Sequence, residues 1–267
     1  MNRPYVLAAI AGAAVAISVA APALADDKQL QNQKGSVSSQ APDAKPVPLG
    51  VNATIAIADR YYAITGGASL AQVFLPDSSR VLVGSDTKVQ LAFFNQAQIA
   101  TAKFVVYGGR VRFAVHHPQG AKANYTFQTA TGSVGVRGTQ GDIEYDADGS
   151  LRVNVYELCD SNAPVEVTTR GGKIFQVAAG QSLFAQVVNG IVRTQVEQLT
   201  QALIGQFSPD FGVPTSWDAA KGEVIGYTAG AVNNVTGGYG SEVVSGVSQL
   251  FKKKATPSPS PTMSTCS

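Results

Sequence analysis

Four closely spaced carboxylates, Asp142, Glu144, Asp146 and Asp148, and two adjacent histidines, His116 and His117, are the densest titratable groups in this 267-residue chain. Neighbours on a strand point to opposite faces, so the two imidazoles cannot share one site. One imidazole with distant carboxylates falls short of the roughly four ligands that zinc needs, and Cys159 and Cys266 lack metal-ligand spacing. Asp142, Glu144 and Asp146 alternate, and would share one face if a strand ran that far. Such a set could do acid/base work on a glycoside or hold Ca²⁺ through oxygens; the plainer reading is a solvated strand end and turn. A Gly-x-Ser-x-Gly elbow for a serine nucleophile is absent. No glycine-rich stretch runs into the Lys-Ser/Thr pair that grips phosphate. The residues therefore predict no catalytic residue, no metal site and no cofactor.

The elements that carry these groups read as short strands. From Gly66 onward turn signals recur about every ten residues, among them Pro76-Asp77, Gly84-Ser85, Gly108-Gly109, Asp148-Gly149, Gly171-Gly172 and Asn189-Gly190. That spacing belongs to all-β sandwiches, barrels and rolls. Between turns the period is two. Val111, Phe113 and Val115 alternate with Arg110, Arg112 and Ala114; Val89, Leu91 and Phe93 alternate with Lys88, Gln90 and Ala92; Leu151, Val153 and Val155 alternate with Arg152, Asn154 and Tyr156. One face is apolar and the other mixed, as in a sheet wetted on one side. Asn189-Gly190 is a two-residue hairpin signal, because both central residues need positive φ. Gly108-Gly109 is read as a turn joining two strands. Val196, Leu199, Leu203 and Phe207 then fall at helical spacing across Gln195–Phe207, ahead of Ser208-Pro209.

The ends are of another kind. Arg3, the apolar run Val6–Ala20 and the small residues Ala23-Leu24-Ala25 form a secretory signal pattern, with cleavage expected between Ala25 and Asp26. Removing Arg3 leaves 19 basic against 18 acidic residues, which gives no electrostatic case for nucleic acid. No later segment approaches the ~20 consecutive apolar residues of a membrane span, so no integral membrane segment is expected after cleavage. Two cysteines permit one disulfide, an intermolecular link or two free thiols. The organisation expected is a signal peptide (1–25), a disordered linker (26–52), a β domain (53–194), a helical and Gly-rich extension (195–251) and a disordered tail (252–267). The fold class is all-β, a meander or stacked β-roll of short antiparallel strands with that C-terminal extension.

Four phrases in order carry a family resemblance: Leu75, Asp77 and Ser79; Gly109, Val111, Phe113 and Val115; Val136, Gly138 and Thr139; and Ala179, Gly180 and Gln181. Together they resemble the FecR domain, an extracytoplasmic all-β module of bacterial envelope signalling. Each residue also has a structural task. Asp77 can accept hydrogen bonds from turn amides two residues on, Gly138 would supply positive φ or close backbone approach, and Thr139 can bond the turn and re-enter a strand. Two departures stand out. Ser78 occupies the place of a turn Gly, so that turn changes type or bears a cost. Gly141 stands where the family has an aromatic.

The resemblance implies an exported module, periplasmic or extracellular, that binds another envelope protein or an envelope polymer and reports a state. It does not extend to the family's anti-sigma segment or internal membrane helix. Arg110, Arg112 and Arg137 form the expected contact surface, on what reads as the outer face. The alternative function is a structural or surface-associated scaffold, and a hydrolase of an envelope polymer comes third.

Overall fold

The computed structural model describes residues 28–116, 123–159 and 163–212. The signal segment with its Ala25-Asp26 junction, His117, Cys266, the Gly-rich extension and the tail lie outside the described residues.

Valine, threonine and aromatic residues at alternate positions favour pleated, half-buried strands, and seventeen are present among the described residues. They are β1 (Gln29–Lys34), β2 (Val37–Gln40), β3 (Val47–Leu49), β4 (Thr54–Ala56), β5 (Tyr62–Thr65), β6 (Leu70–Phe74), β7 (Arg80–Val83), β8 (Lys88–Gln96) and β9 (Ala100–Val115). Then come β10 (Asn124–Gln128), β11 (Gly132–Val136), β12 (Thr139–Tyr145), β13 (Leu151–Leu158), β14 (Val165–Thr169), β15 (Ile174–Val177), β16 (Gln181–Val188) and β17 (Ile191–Gln198). A single helix, α1 (Gln201–Phe211), follows them.

The pairings resolve into two sheets that share one strand. Sheet I runs β4-β1-β6-β7-β9-β12-β13-β16-β17. Sheet II runs β3-β2-β5-β8-β9-β10-β11-β14-β15. Their inner faces meet in one apolar cluster that includes Phe104, Phe113, Phe127, Val153 and Leu183. The Phe104 and Phe127 rings stack at 5.2 Å, and Phe113 lies 5.1 Å from Phe127. The all-β class is as expected, and Val111, Phe113 and Val115 face inward, as do Leu151, Val153 and Val155.

Five details differ from the sequence reading. Gly108-Gly109 is no hairpin turn. β9 runs through it unbroken, pairing with β8 as far as Gly108 and with β12 from Gly109 onward. Gly109 takes φ +94°, and a Cβ there would stand 2.2 Å from Thr87 Oγ1 and 2.6 Å from Thr87 Cα. Only glycine lets the strand bend there from one sheet into the other. Second, the strands are not all antiparallel: β10 lies parallel to the first half of β9, with Asn124 opposite Thr101. The second half of β9 is itself the crossover, carrying the chain into sheet I before it returns. Third, residues 29–49 form strands rather than a disordered linker. Three apolar anchors suffice, since Leu30, Val37 and Leu49 are buried and the Asn32 amide donates to the Leu49 carbonyl at 2.9 Å. Fourth, a bulge between Leu91 and Phe93 breaks the alternation, leaving Phe93 40% exposed while Val89 and Leu91 stay inside.

The fifth difference is the helix. Val196 belongs to β17; the helix starts later, capped by Thr200, whose Oγ1 accepts from the Leu203 N–H at 3.3 Å. Pro209 does not end it. A proline deprives the carbonyl four residues back of its donor; here the Ser208 hydroxyl donates to that Gly205 carbonyl at 3.1 Å. Ile204, Phe207 and Phe211 form the buried stripe and pack on the outer face of sheet I, with Leu82, Ala114 and Tyr156.

The hairpin readings do hold. Asn189 (φ +52°) and Gly190 (φ +76°) turn β16 into β17. Gly149 (φ +81°) closes the turn between β12 and β13, its N–H donating to the Asp146 carbonyl at 2.9 Å.

Candidate functional site

Register brings the carboxylate cluster and the arginine pair together. Across β9 and β12, Arg112 stands opposite Asp142 and Arg110 opposite Glu144. These four side chains share the outer face of sheet I, because Val111, Phe113 and Ile143 take the inner one. Opposite charges directly across a ladder attract.

Arg112 is 2% exposed and Asp142 fully buried. Arg112 Nε donates to Asp142 Oδ1 at 2.7 Å and Nη2 to Oδ2 at 3.0 Å, a two-pronged pair. Its remaining arm, Nη1, donates to the Phe211 carbonyl at 3.2 Å and the Gly212 carbonyl at 2.9 Å. Those carbonyls end α1, where a helix concentrates partial negative charge and lacks donors of its own. The guanidinium also lies 5.0 Å from the Phe211 ring centre and 5.5 Å from that of Tyr156. The Tyr156 hydroxyl donates to Asp142 Oδ2. Burial works against the charged form of Arg112, but the field and bonds of Asp142, with Tyr156, outweigh it and raise its pKa. Burial first, then the Asp142 charge, pushes the Tyr156 phenol well above its ordinary value.

Arg110 is less enclosed. Its Nε donates to Glu144 Oε1 at 2.6 Å, and Nη1 reaches Asp210 Oδ2 at 3.3 Å on α1. Asp210 also takes the backbone N–H of Ser85, at 3.2 Å, and the Ser85 hydroxyl. Gly84 beside it makes room for the helix: a Cβ there would sit 2.9 Å from Phe211 Cζ. Two arginines of the β domain thus grip the last turn of the helix that follows it.

Arg112 is therefore buried rather than exposed, and Arg110 keeps only 33% of its side-chain surface open. Their side chains are drawn into ion pairs beneath α1, because a covered charge has to be paired. Arg137 is exposed, at the turn before Gly138. Asp142 and Glu144 meet guanidinium groups rather than solvent, while Asp146 and Asp148 do lie in the hairpin turn. Ser150 donates its backbone N–H to Asp148 at 2.8 Å, which holds the Asp148 pKa low. The His116 side chain joins none of these groups; its backbone N–H donates to Ser79 Oγ at 2.9 Å.

The motif residues occupy turns and core. Asp77 Oδ1 accepts from the Ser79 N–H at 3.0 Å, two residues on, and Oδ2 accepts from Ser79 Oγ at 3.0 Å and from Tyr125 Oη at 2.5 Å. Burial, then the Asp77 charge, raises the Tyr125 pKa. Ser78 bears the cost of replacing glycine: it sits at φ +70°. Leu75 and Phe113 are buried. Gly138 has φ +103°, and its carbonyl accepts from the Cys159 N–H at 3.1 Å. Thr139 begins β12 as expected, but its buried hydroxyl bonds nothing. At Gly141 a Cβ would lie 2.3 Å from the Asn154 carbonyl oxygen and 2.6 Å from the Phe113 ring, so Phe113 takes the room an aromatic would use. Gly180 (φ +77°) and Gln181 close a turn in which Gln181 Oε1 accepts from the Ala178 N–H at 2.9 Å. Cys159 is disulfide-bonded.

This frame of strands and turns coincides with a known family. Residues 62–157 match the model of the FecR protein family. Over these residues the chain is similar to FecR proteins. The match starts at β5 and ends inside β13, so it includes the Asp77 turn, both arginines and both of their carboxylates. It leaves the Gly180-Gln181 turn and α1 outside. Two crystal structures of a "putative anti-sigma factor" from Parabacteroides distasonis are similar at 16% identity and a TM-score of 0.43, over 54% of this chain. The chain spans about 64% of the length of those solved structures. No curated protein matches it.

Asp210, Tyr125 and Tyr156 are the participants that the sequence reading missed. Arg-x-Arg on one strand and Asp-x-Glu on another, both in the polar register, signal the cross-strand pairs. Asp210, a hundred residues from Arg110, carries no such signal.

Proposed function

We propose that this chain is an exported, non-catalytic binding and signalling module of the bacterial envelope, built on its FecR domain. The FecR match over residues 62–157 carries this reading. The signal pattern at residues 1–25 supports export, and the match supports a regulatory role. Among the described residues, no helix is long and apolar enough to cross a membrane.

The contact surface proposed for the partner centres on Arg137, the expected contact arginine that is most open to solvent. Arg110 and Arg112 take a different part: they fasten α1, and so tie the FecR domain to the chain that continues from Gly212. Affinity capture from envelope extracts tests this. The full chain is expected to retain an envelope protein, and Arg137→Glu to weaken that retention about tenfold, the equivalent of ~1.4 kcal/mol. Turnover of peptidoglycan, polysaccharide or ester substrates, abolished by Asp142→Asn or Glu144→Gln, would reject the non-catalytic reading.

A further inference from the structure

Each sheet ends in strands with one unpaired side, and such edges invite pairing with another chain. Among the described residues four strands stand at edges. Three are blunted. β3 has three residues and contains Pro48, β4 has three residues, and β15 has four and follows Lys173. β17 is different. It runs eight residues, Ile191–Gln198, without Pro, Gly or bulge, in unbroken register with β16.

Its free side can be read from one bond. The Leu199 N–H donates to the Gly180 carbonyl at 2.8 Å, toward the β16 side. Peptide groups alternate along a strand, so the N–H and C=O of Val192, Thr194, Val196 and Gln198 point outward, unpaired among the described residues. Apolar side chains flank them: Ile191 is 68% exposed and Val196 40%.

We infer that β17 is a self-association edge, pairing antiparallel with β17 of a second copy about a two-fold axis at Gln195. The charges select this register. It places Arg193 opposite Glu197 of the second copy, twice. That pairing falls at a non-hydrogen-bonded position, where facing side chains come closest. Arg193 is exposed, and Glu197 already accepts from Arg152 Nη1 at 2.9 Å on the same outer face. In the dimer each Glu197 lies between two guanidinium groups. Val196 is covered by Thr194 of the second copy, and sheet I becomes continuous across the pair.

Sedimentation velocity of the full chain tests this over a concentration series. The wild type is expected to sediment as a dimer. Thr194→Pro removes one outward N–H that bonds nothing among the described residues, so it should give a folded monomer with an unchanged circular dichroism spectrum. Arg193→Glu should also give a monomer, and Arg193→Glu with Glu197→Arg should restore the dimer. A wild type that stays monomeric overturns the proposal; so does a dimer indifferent to Thr194→Pro or to Arg193→Glu. Edge amides of β17 protected from exchange in a monomer would assign the edge to another segment of this chain, and would overturn it too. Retention of an envelope protein through Arg137 is read separately, so either result can fail alone.

Discussion

The outer faces of the two sheets look alike as sequence and behave differently as structure. On sheet II, Tyr62 and Tyr107 lie 5.8 Å apart, with the Lys88 ammonium 4.8 and 5.8 Å from their ring centres, and Lys88 and Tyr107 are exposed. On sheet I, Arg112 and Asp142 hold the same alternate-position register but lie under α1. Eleven residues of helix make the difference. A polar register identifies the face turned away from the main core; it does not establish that water reaches it. Where a later segment covers that face, each charge must find a partner inside.

Replacing Arg112 should give the largest effect. Arg112→Ala strands Asp142 in a buried site and frees the α1 carbonyls, so it should cost about 3–5 kcal/mol in urea unfolding. Asp142→Ala should cost a similar amount, and the double variant less than their sum, because the two share one interaction. A loss within ~0.5 kcal/mol would mean that the covered face is as wet as sheet II.

Gly84→Val tests the cover itself. Its side chain would press on Phe211, and overpacking of this kind costs ~1–3 kcal/mol. The expected signature is faster amide exchange in α1 while the strands keep their protection.

Alkaline titration separates the faces by a smaller amount. Tyr156 and Tyr125 have raised folded-state pKa values, whereas an unfolded tyrosine ionises near pH 10. Below that pH both states hold the proton, and their contribution is fully present. Above it the unfolded chain binds fewer protons, so stability falls by about 1.4 kcal/mol per pH unit for each such tyrosine. Tyr156→Phe should remove one share of that slope. Tyr107, raised first by burial and then by Tyr62, is half exposed, and Tyr107→Phe should change the slope little.

Lys88→Ala on the wet face should have the smallest effect, about 0.5 kcal/mol by thermal melt, as for an exposed cation over aromatic rings.

Much of the fold was legible because its signals are local. Asn189-Gly190, Asp148-Gly149, the Asp77 turn and positive φ at Gly138 each follow from one or two residues and the backbone they require. The strands of residues 29–49 were not, since three buried anchors among polar residues resemble a linker until a partner strand exists. Phe93 was misplaced by a bulge, which shifts parity without a compositional mark. At the candidate site, Arg110, Arg112, Asp142 and Glu144 were visible one by one. Their union depends on a strand register, which the matched Arg-x-Arg and Asp-x-Glu patterns signal, and on a helix a hundred residues away, which no local spacing indicates.

β9 belongs to both sheets, bending at Gly109, and this shapes how the molecule comes apart. Two sheets held only by side-chain packing could separate while each stayed whole. Here sheet I and sheet II share one backbone: sheet II bonds the strand as far as Gly108 and sheet I bonds it from Gly109 onward, so detaching either sheet strips hydrogen bonds from one half of the same sixteen-residue strand. The two layers are therefore expected to melt together, with slow-exchanging amides on both sides of the bend. Tension applied at one sheet is carried to the other through a covalent path rather than through the apolar interior.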